Sequence, residues 1–400
     1  MNKILTLTFH IAFLALAIFS LRLISNIPDR YLPILELLPF VLTALSFILG
    51  YRFNRSLVIY SALLFTLVYS YLFFAPLAGH PQQVLALNSI AILLAANVAL
   101  LCFYSERGIF TPIGLIRFVL IVVQVCAIGW LVQQQQAQWQ NLVNQIVFPA
   151  LQIKLVFFSQ VALLVMLVSV IVISSSYLTR SNPFRSAIFA SLLLLLYAIS
   201  LPPKEILNIS VLISFALALP LLTLISESYR MAFVDELTDL PGRRALNETM
   251  NKLGNKYVLA MLDVDHFKKF NDTYGHDAGD DVLHLLGNRL KNVSGGGKPF
   301  RYGGEEFAVV FFGASLEDVE EHLEDLREGV ANKKFALRKQ ERRQKKASAK
   351  KKNNQRFVNV TISIGYAEKS AKNTNPTAVL KAADKALYKA KKKGRNCIST

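Results

Sequence analysis

Long apolar runs separated by brief polar breaks fill the chain from residue 4 to about residue 226. A helix needs about 20 apolar residues to cross a bilayer, because any other open backbone would leave amides without partners. Eight runs meet that description, at roughly 4–24, 33–51, 57–77, 84–104, 111–132, 155–177, 186–201 and 205–226. The seventh is short and ends at Pro202-Pro203, so seven spans plus a re-entrant hairpin is the alternative. The first run is too long for a signal peptide and is followed by Arg30 and further spans, which predicts an uncleaved first helix.

The pattern changes after residue 227. Residues 256–265, KYVLAMLDVD, form an apolar run ending in acidic positions, as a buried strand does. A polar turn follows, then a helix from near Asp280 with Val282, Leu283, Leu286 and Leu290 on one face. Residues 299–302 and 305–312 flank Gly303-Gly304 and read as a β-hairpin, with positive φ expected at both glycines. A helix over about 315–330, a strand over 357–366 and a helix from Pro376, capped by Gly394, complete the order. Strand, helix, hairpin, helix, strand, helix predicts a central sheet with packed helices, an α/β or α+β layer, behind an all-α polytopic region. The predicted division is 1–226 for the membrane region, 227–237 for a helical linker and 238–400 for the soluble domain.

Charge sharpens this division. Residues 1–226 hold 11 Lys/Arg and 4 Asp/Glu, leaving 33 and 23 for the rest. With the N-terminus inside, the cytoplasmic segments carry Lys3, Arg52, Arg55, Arg107, Arg180, Arg185 and Arg230, and the outer loops only Arg30 and Lys204. Basic residues are retained on the cytoplasmic side of short loops, so eight spans place the soluble half in the cytoplasm. Within the apolar runs His10, Glu36, Arg117 and Lys154 are ionisable, the last two near span ends where such side chains snorkel. Cys102, Cys126 and Cys397 are too far apart for a zinc ribbon or a disulfide framework.

Asp263 at a strand end and Glu305 and Glu306 on the hairpin meet if the two strands are neighbours. Clustered carboxylates beside a backbone carbonyl suit magnesium and hence phosphate chemistry, with Lys268, Lys391 and Arg395 supplying positive charge. The alternative is that Asp263 and Asp265 cap a turn while the glutamates decorate an exposed hairpin. Spacing alone leaves both readings open.

Residues 301–307, RYGGEEF, and 263–283, DVDHFKKFNDTYGHDAGDDVL, resemble the GGDEF domain of diguanylate cyclases, with Glu in the third position of the motif. Further similarity lies at 235–244, DELTDLPGRR, 360–367, VTISIGYA, and 386–396, ALYKAKKKGRN. The resemblance implies a polymerase-palm-like fold that joins two GTP into cyclic di-GMP and releases two pyrophosphates. It also implies a homodimer that brings two half-sites together, each with two magnesium ions, manganese being a possible substitute. By the same resemblance Asp263, the carbonyl of Val264, Glu305 and Glu306 would bind the metal, Glu305 also accepting a proton. Asn271 and Asp280 would recognise guanine, Lys268 would stabilise the transition state, and Lys391 and Arg395 would contact phosphates. Gly303 and Gly304 would let the nucleotide approach the backbone.

Three departures stand out. The Arg-x-x-Asp inhibitory site of many family members falls on Ser294 and Gly297, which predicts no product inhibition through it. Asp239 stands where Gly is usual and Gly242 where Asn is usual. Residues 333–356 hold 12 Lys/Arg and one acid, Glu341; a solvated loop is expected, with anionic lipid headgroups as the next reading. Nucleic acid is not expected as a partner, as no recognition motif or aromatic interleaving accompanies the basic run. The overall expectation is a multi-pass inner-membrane diguanylate cyclase of a bacterial cell, regulated through its membrane region. The rivals are a silent GGDEF domain that binds GTP or cyclic di-GMP as a receptor, and a transporter with a regulatory soluble half.

Overall fold

The computed structural model describes residues 3–74, 81–103, 106–134, 137–147, 158–179, 182–333, 335–336 and 357–400. Lys154, Arg180, Lys334 and the bulk of the basic segment, 337–356, lie outside the described residues. The chain divides into two compact units, Met1–Ser228 and Tyr229–Thr400.

The first unit is helical. Its helices are α1 (Lys3–Ser20), α2 (Leu32–Arg52), α3 (Ser56–Phe74), α4 (Pro81–Phe103), α5 (Pro112–Gln133), α6 (Ala137–Val143), α7 (Gln160–Thr179), α8 (Pro183–Ser200) and α9 (Ile206–Phe233). Among the described residues seven helical stretches are long and apolar enough to cross a membrane, and Gln160–Ser175 is a shorter apolar helix. The run expected at 155–177 corresponds to α7, of which Gln160–Ser175 is this shorter stretch. The lengths are compatible with membrane spans.

Helices α3, α4, α8 and α9 supply most of the buried core, including Leu57, Tyr60, Phe65, Leu94, Leu192 and Leu212. Buried phenols still need acceptors. The Tyr60 hydroxyl donates to the Gly114 carbonyl at 2.7 Å and that of Tyr69 to the Glu36 carbonyl at 2.6 Å. Asn97 Nδ2 donates to Gln124 Oε1 at 2.8 Å, joining α4 to α5, and polar side chains of this kind tie helices together where water is excluded.

The second unit follows from α9 into a tight turn and α10 (Arg243–Met250), then β1 (Tyr257–Val264), α11 (Phe267–Tyr274) and α12 (His276–Leu290). It continues with β2 (Lys298–Gly303), β3 (Glu306–Phe312), α13 (Leu316–Ala331), β4 (Phe335–Ala336), β5 (Phe357–Val358), β6 (Ile362–Glu368), α14 (Pro376–Lys392) and β7 (Ile398–Ser399). The main sheet runs β2-β3-β1-β6-β7, antiparallel except for the parallel β6–β7 pair, and β4-β5 form a small separate ladder.

Strand β1 is buried along its whole length, and its alternation assigns its two faces. Val258, Ala260, Leu262 and Val264 join one core with residues of α12 and α13, such as Leu286 and Leu323. Tyr257, Leu259 and Met261 join the other with residues of α10 and α14, such as Leu246 and Val379. Asp263 continues the second face, toward α14. On that face a Cβ at Gly365 of β6 would lie 1.9 Å from Leu387 N and 2.3 Å from Ala383 O. Only glycine lets α14 sit this close to the sheet.

Three local expectations change. The polar turn after β1 is a helix, α11, because Phe267 and Phe270 recur at helical spacing and Phe267 is buried. His266 enters it at φ 58° and Gly275, at φ 89°, separates it from α12. Gly303 ends β2 and pairs with Glu306 across a bulge at Tyr302, so the hairpin turns at Gly304-Glu305 with positive φ at Gly304 alone. The strand expected over 357–366 is interrupted, with β5 and β6 separated by residues 359–361.

Candidate active site

Pairing across the sheet gathers the acidic side chains. Asp263, near the C-terminal end of β1, is in register with Glu306, the first residue of β3. Glu305 lies in the turn just before, where its carbonyl accepts a 3.4 Å bond from the Val264 amide. Lys391, in the last turn of α14, places Nζ 2.8 Å from Asp263 Oδ1. The Asp263 side chain is 7% exposed and that of Lys391 31%.

Burial raises the Asp263 carboxyl above its ordinary value; Lys391 and Arg395 oppose the rise and Asp265 adds to it. Glu305 and Glu306 are likewise raised, first by burial and then by the charge of Asp263, with Lys391 working against both effects. Mutual elevation of this kind marks carboxylates that share a site and lack a sufficient counter-charge.

The end of α14 is held in an uncommon backbone path. Gly394, Arg395 and Asn396 adopt φ of 113°, 66° and 46° in succession, a path normally costly for residues with side chains. Asp265 secures it. Its carboxylate accepts from the Asn396 amide at 3.0 Å, from Thr361 Oγ1 at 2.7 Å and from Ser363 Oγ at 2.6 Å. This one buried side chain ties the end of β1 to β6 and to the turn that carries Arg395.

Helices α11 and α12 form a second group. Asn271 Oδ1 is buried without a hydrogen-bond partner, and a Cβ on Gly279 would lie 1.9 Å from it. The Asn271 amide therefore sits against the first turn of α12, next to the exposed Asp280. An orphaned buried acceptor is costly, and a ligand donor would relieve it. Lys268 is exposed on α11 and belongs to neither group. Gly303 and Gly304 are exposed, and nothing lies within 4 Å of a Cβ placed on either, so this side of the hairpin is open.

Among the described residues no three His, Cys, Asp or Glu side chains are close enough to hold a metal as they stand. The donor set nevertheless fits magnesium. Asp263, Glu305, Glu306 and the Val264 carbonyl are hard oxygen ligands, and the Lys391 ammonium already occupies a cation position on Asp263.

Arg301 was not singled out by the sequence reading. Its guanidinium donates to Asp235 Oδ1 at 2.7 Å and to the Gly304 carbonyl at 2.8 and 3.2 Å, clamping the hairpin tip to the turn at 235–242. Burial alone would raise the Asp235 carboxyl, but bonds from Arg301 and Thr238 hold it below the ordinary aspartate range. A cavity of about 380 Å³ lies beside this clamp, lined by Phe233, Asp235, Arg243, Arg301 and Gly304 among others. The signals in the sequence were an acid in the lead-in turn and an arginine two residues before the glycines. Asp239 takes φ 54°, so the turn keeps its left-handed position without glycine. Gly242 starts α10 without a side-chain cap. At the lost inhibitory motif Ser294 Oγ lies 3.0 Å from His322 Nδ1.

Residues 232–397 match the family described as "Diguanylate cyclase, GGDEF domain". The chain is 35% identical over 182 residues to the response regulator PleD of Caulobacter vibrioides, covering 44% of this chain and 37% of that protein. It is 34% identical over 180 residues to the diguanylate cyclase DgcP of Pseudomonas aeruginosa, covering 43% and 24%. Both matches thus span well under half of those relatives' own lengths. A solved GGDEF domain of DgcB from Caulobacter crescentus, in complex with c-di-GMP, is 31% identical over 42% of this chain and 95% of that one, with a TM-score of 0.37. Through residues 232–397, which form its GGDEF domain, the chain belongs to the GGDEF family.

Proposed function

We propose that the chain is a membrane-bound diguanylate cyclase that condenses two GTP into cyclic di-GMP with release of two pyrophosphates. The observation that carries this reading is the gathering of Asp263, Glu305 and Glu306 at neighbouring strand ends, with Lys391 on Asp263. Two magnesium ions per half-site would screen the triphosphate and lower the pKa of the attacking 3′-hydroxyl.

The residues of the chain bind, orient and move protons. Asn271 and Asp280 hold the guanine edge, the carboxylate accepting from its N–H groups. Lys391 and Arg395 hold phosphate oxygens, and Lys268 adds positive charge as the transition state forms. Glu305, whose carboxyl lies above the ordinary glutamate range, is suited to accept the hydroxyl proton. Gly303 and Gly304 leave the hairpin face open to the nucleotide. One such domain holds one GTP, so two copies of the chain must meet to place each hydroxyl in line with the opposite α-phosphorus.

Residues 1–226 are read as the inner-membrane anchor and sensor, 227–237 as the helical linker and 238–400 as the cytoplasmic catalytic domain. On this reading the linker carries a signal by which the membrane region shifts populations of productive dimers.

Full-length protein in lipid nanodiscs large enough for two chains, given GTP and magnesium, should form cyclic di-GMP identified by chromatography. Glu305→Gln and Glu306→Gln should each lower the rate by at least about a hundredfold. Silence from wild type and from a dimerised 227–400 fragment alike would refute the enzyme and favour a receptor.

A further inference from the structure

Lys391 is paired with a carboxylate that, on the proposed function, would bind a divalent cation. Its Nζ is 2.8 Å from Asp263 Oδ1, whereas magnesium binds carboxylate oxygen at about 2.0–2.1 Å. Two cations on one oxygen would be near neighbours and repel each other, so ammonium and metal exclude one another there.

We propose that Lys391 is a metal-competing counter-ion: it blocks metal binding at Asp263 while the site lacks nucleotide, and moves to the nucleotide phosphates when metal and GTP arrive together. The inference rests on reading the site as a GTP site. The Asp263 side chain is only 7% exposed, so its ionised form calls for a cation beside it. Asp263 and Glu306 are in register with Glu305 beside them, and the single ammonium on Asp263 balances only one of these three carboxylates. The site therefore has a deficit that a divalent ion would fill, provided Lys391 has somewhere else to go. It has the means to move: its side chain is 31% exposed, on the last turn of α14, and a lysine is a point charge on a flexible stem. Triphosphate supplies the alternative partner. Metal and nucleotide then bind cooperatively, and by linkage each must raise the affinity of the other by the same factor.

The experiment titrates full-length protein in nanodiscs with Mn²⁺, following free Mn²⁺ by electron paramagnetic resonance. It is run with and without a GTP analogue whose α,β-bridge is a methylene group. Lys391→Met should tighten nucleotide-free Mn²⁺ binding about tenfold, as expected for loss of a charge-assisted bond to a competitor. The enhancement of Mn²⁺ binding by the analogue should shrink by the same factor. Lys391→Arg, which still offers a cation, and Lys393→Met, which removes one charge elsewhere on the same helix end, should stay within about twofold of wild type. Lys391→Gln repeats the test with a second neutral side chain. Nucleotide-free Mn²⁺ bound no more tightly by both neutral variants than by wild type would overturn the proposal. If wild type takes up Mn²⁺ but no analogue at any concentration, the GTP reading fails, while the metal-only comparison still decides the competition.

Discussion

Replacing Asp265 separates the framework of the site from its chemistry. Its carboxylate accepts three hydrogen bonds, from Thr361 Oγ1, Ser363 Oγ and the Asn396 amide. In Asp265→Ala the Thr361 hydroxyl, half-buried, can turn to water, but Ser363 is fully buried and the Asn396 amide loses its acceptor. Losing these two bonds to a charged acceptor, one of them from a fully buried donor, costs about 3–5 kcal/mol together. Asp265→Asn should cost only about 1–2 kcal/mol, because its amide oxygen still accepts and the Ser363 hydroxyl can reverse its role. Hydrogen exchange of the full-length protein in nanodiscs reads these losses locally, without requiring two-state unfolding. Peptides covering 362–368 and 395–400 should lose protection by roughly a hundredfold to a few thousandfold in the alanine variant and about tenfold in the asparagine variant. Peptides from α12 should change little. Less than a threefold change at 395–400 in Asp265→Ala would refute the idea that this carboxylate anchors the turn carrying Arg395.

Gly365→Ala should disrupt the packing of α14 on the sheet, since its Cβ would fall inside contact distance of the α14 backbone; a loss of about 3 kcal/mol or more in α14 exchange protection is expected. Without metal, protection of the hairpin tip should fall as pH rises. Asp263, Glu305 and Glu306 titrate above their ordinary values in the folded state, which thus holds more protons than the unfolded chain between the two pKa values. Their contribution is present below that window and is lost through it, and saturating magnesium should flatten the dependence. Added cyclic di-GMP should not inhibit noncompetitively, as Ser294 and Gly297 replace the charged inhibitory pair; a saturable noncompetitive effect would count against this. Insertion of one to four residues near Tyr229 should change activity with helical periodicity, and a flat response would indicate a flexible tether.

What the chain discloses without coordinates is chemistry that depends on residue type. Asp263, Glu305 and Glu306 are recognisable through the motifs around them, which resemble a known family, whereas spacing alone leaves a turn cap and an exposed hairpin open; the sheet brings Asp263 and Glu306 into register. The secondary structure was legible where one period dominates. It was misread at α11, where two phenylalanines sit among polar residues, and at the hairpin, where a bulge at Tyr302 moves the turn by one residue. Bulges leave the apolar pattern of the strand almost unchanged, so alternation alone does not disclose them.

The less legible part is the set of side chains that hold the site in place. Asp265 differs from Asp263 by two positions and shares its side of the strand, yet one carboxylate is bound by two hydroxyls and an amide while the other meets an ammonium. The difference is made by partners about 100 residues or more away, on β6 and after α14. Arg301 is similar: its partner Asp235 precedes it by 66 residues, and although each opens a recognisable motif, neither motif discloses that the two pair. A composition of acids and bases identifies what a site can bind. Which acid faces ligand and which supports the framework is settled by the sheet order β3-β1-β6 and by the close approach that Gly365 permits, because these bring Lys391 to one carboxylate and Asn396 to the other.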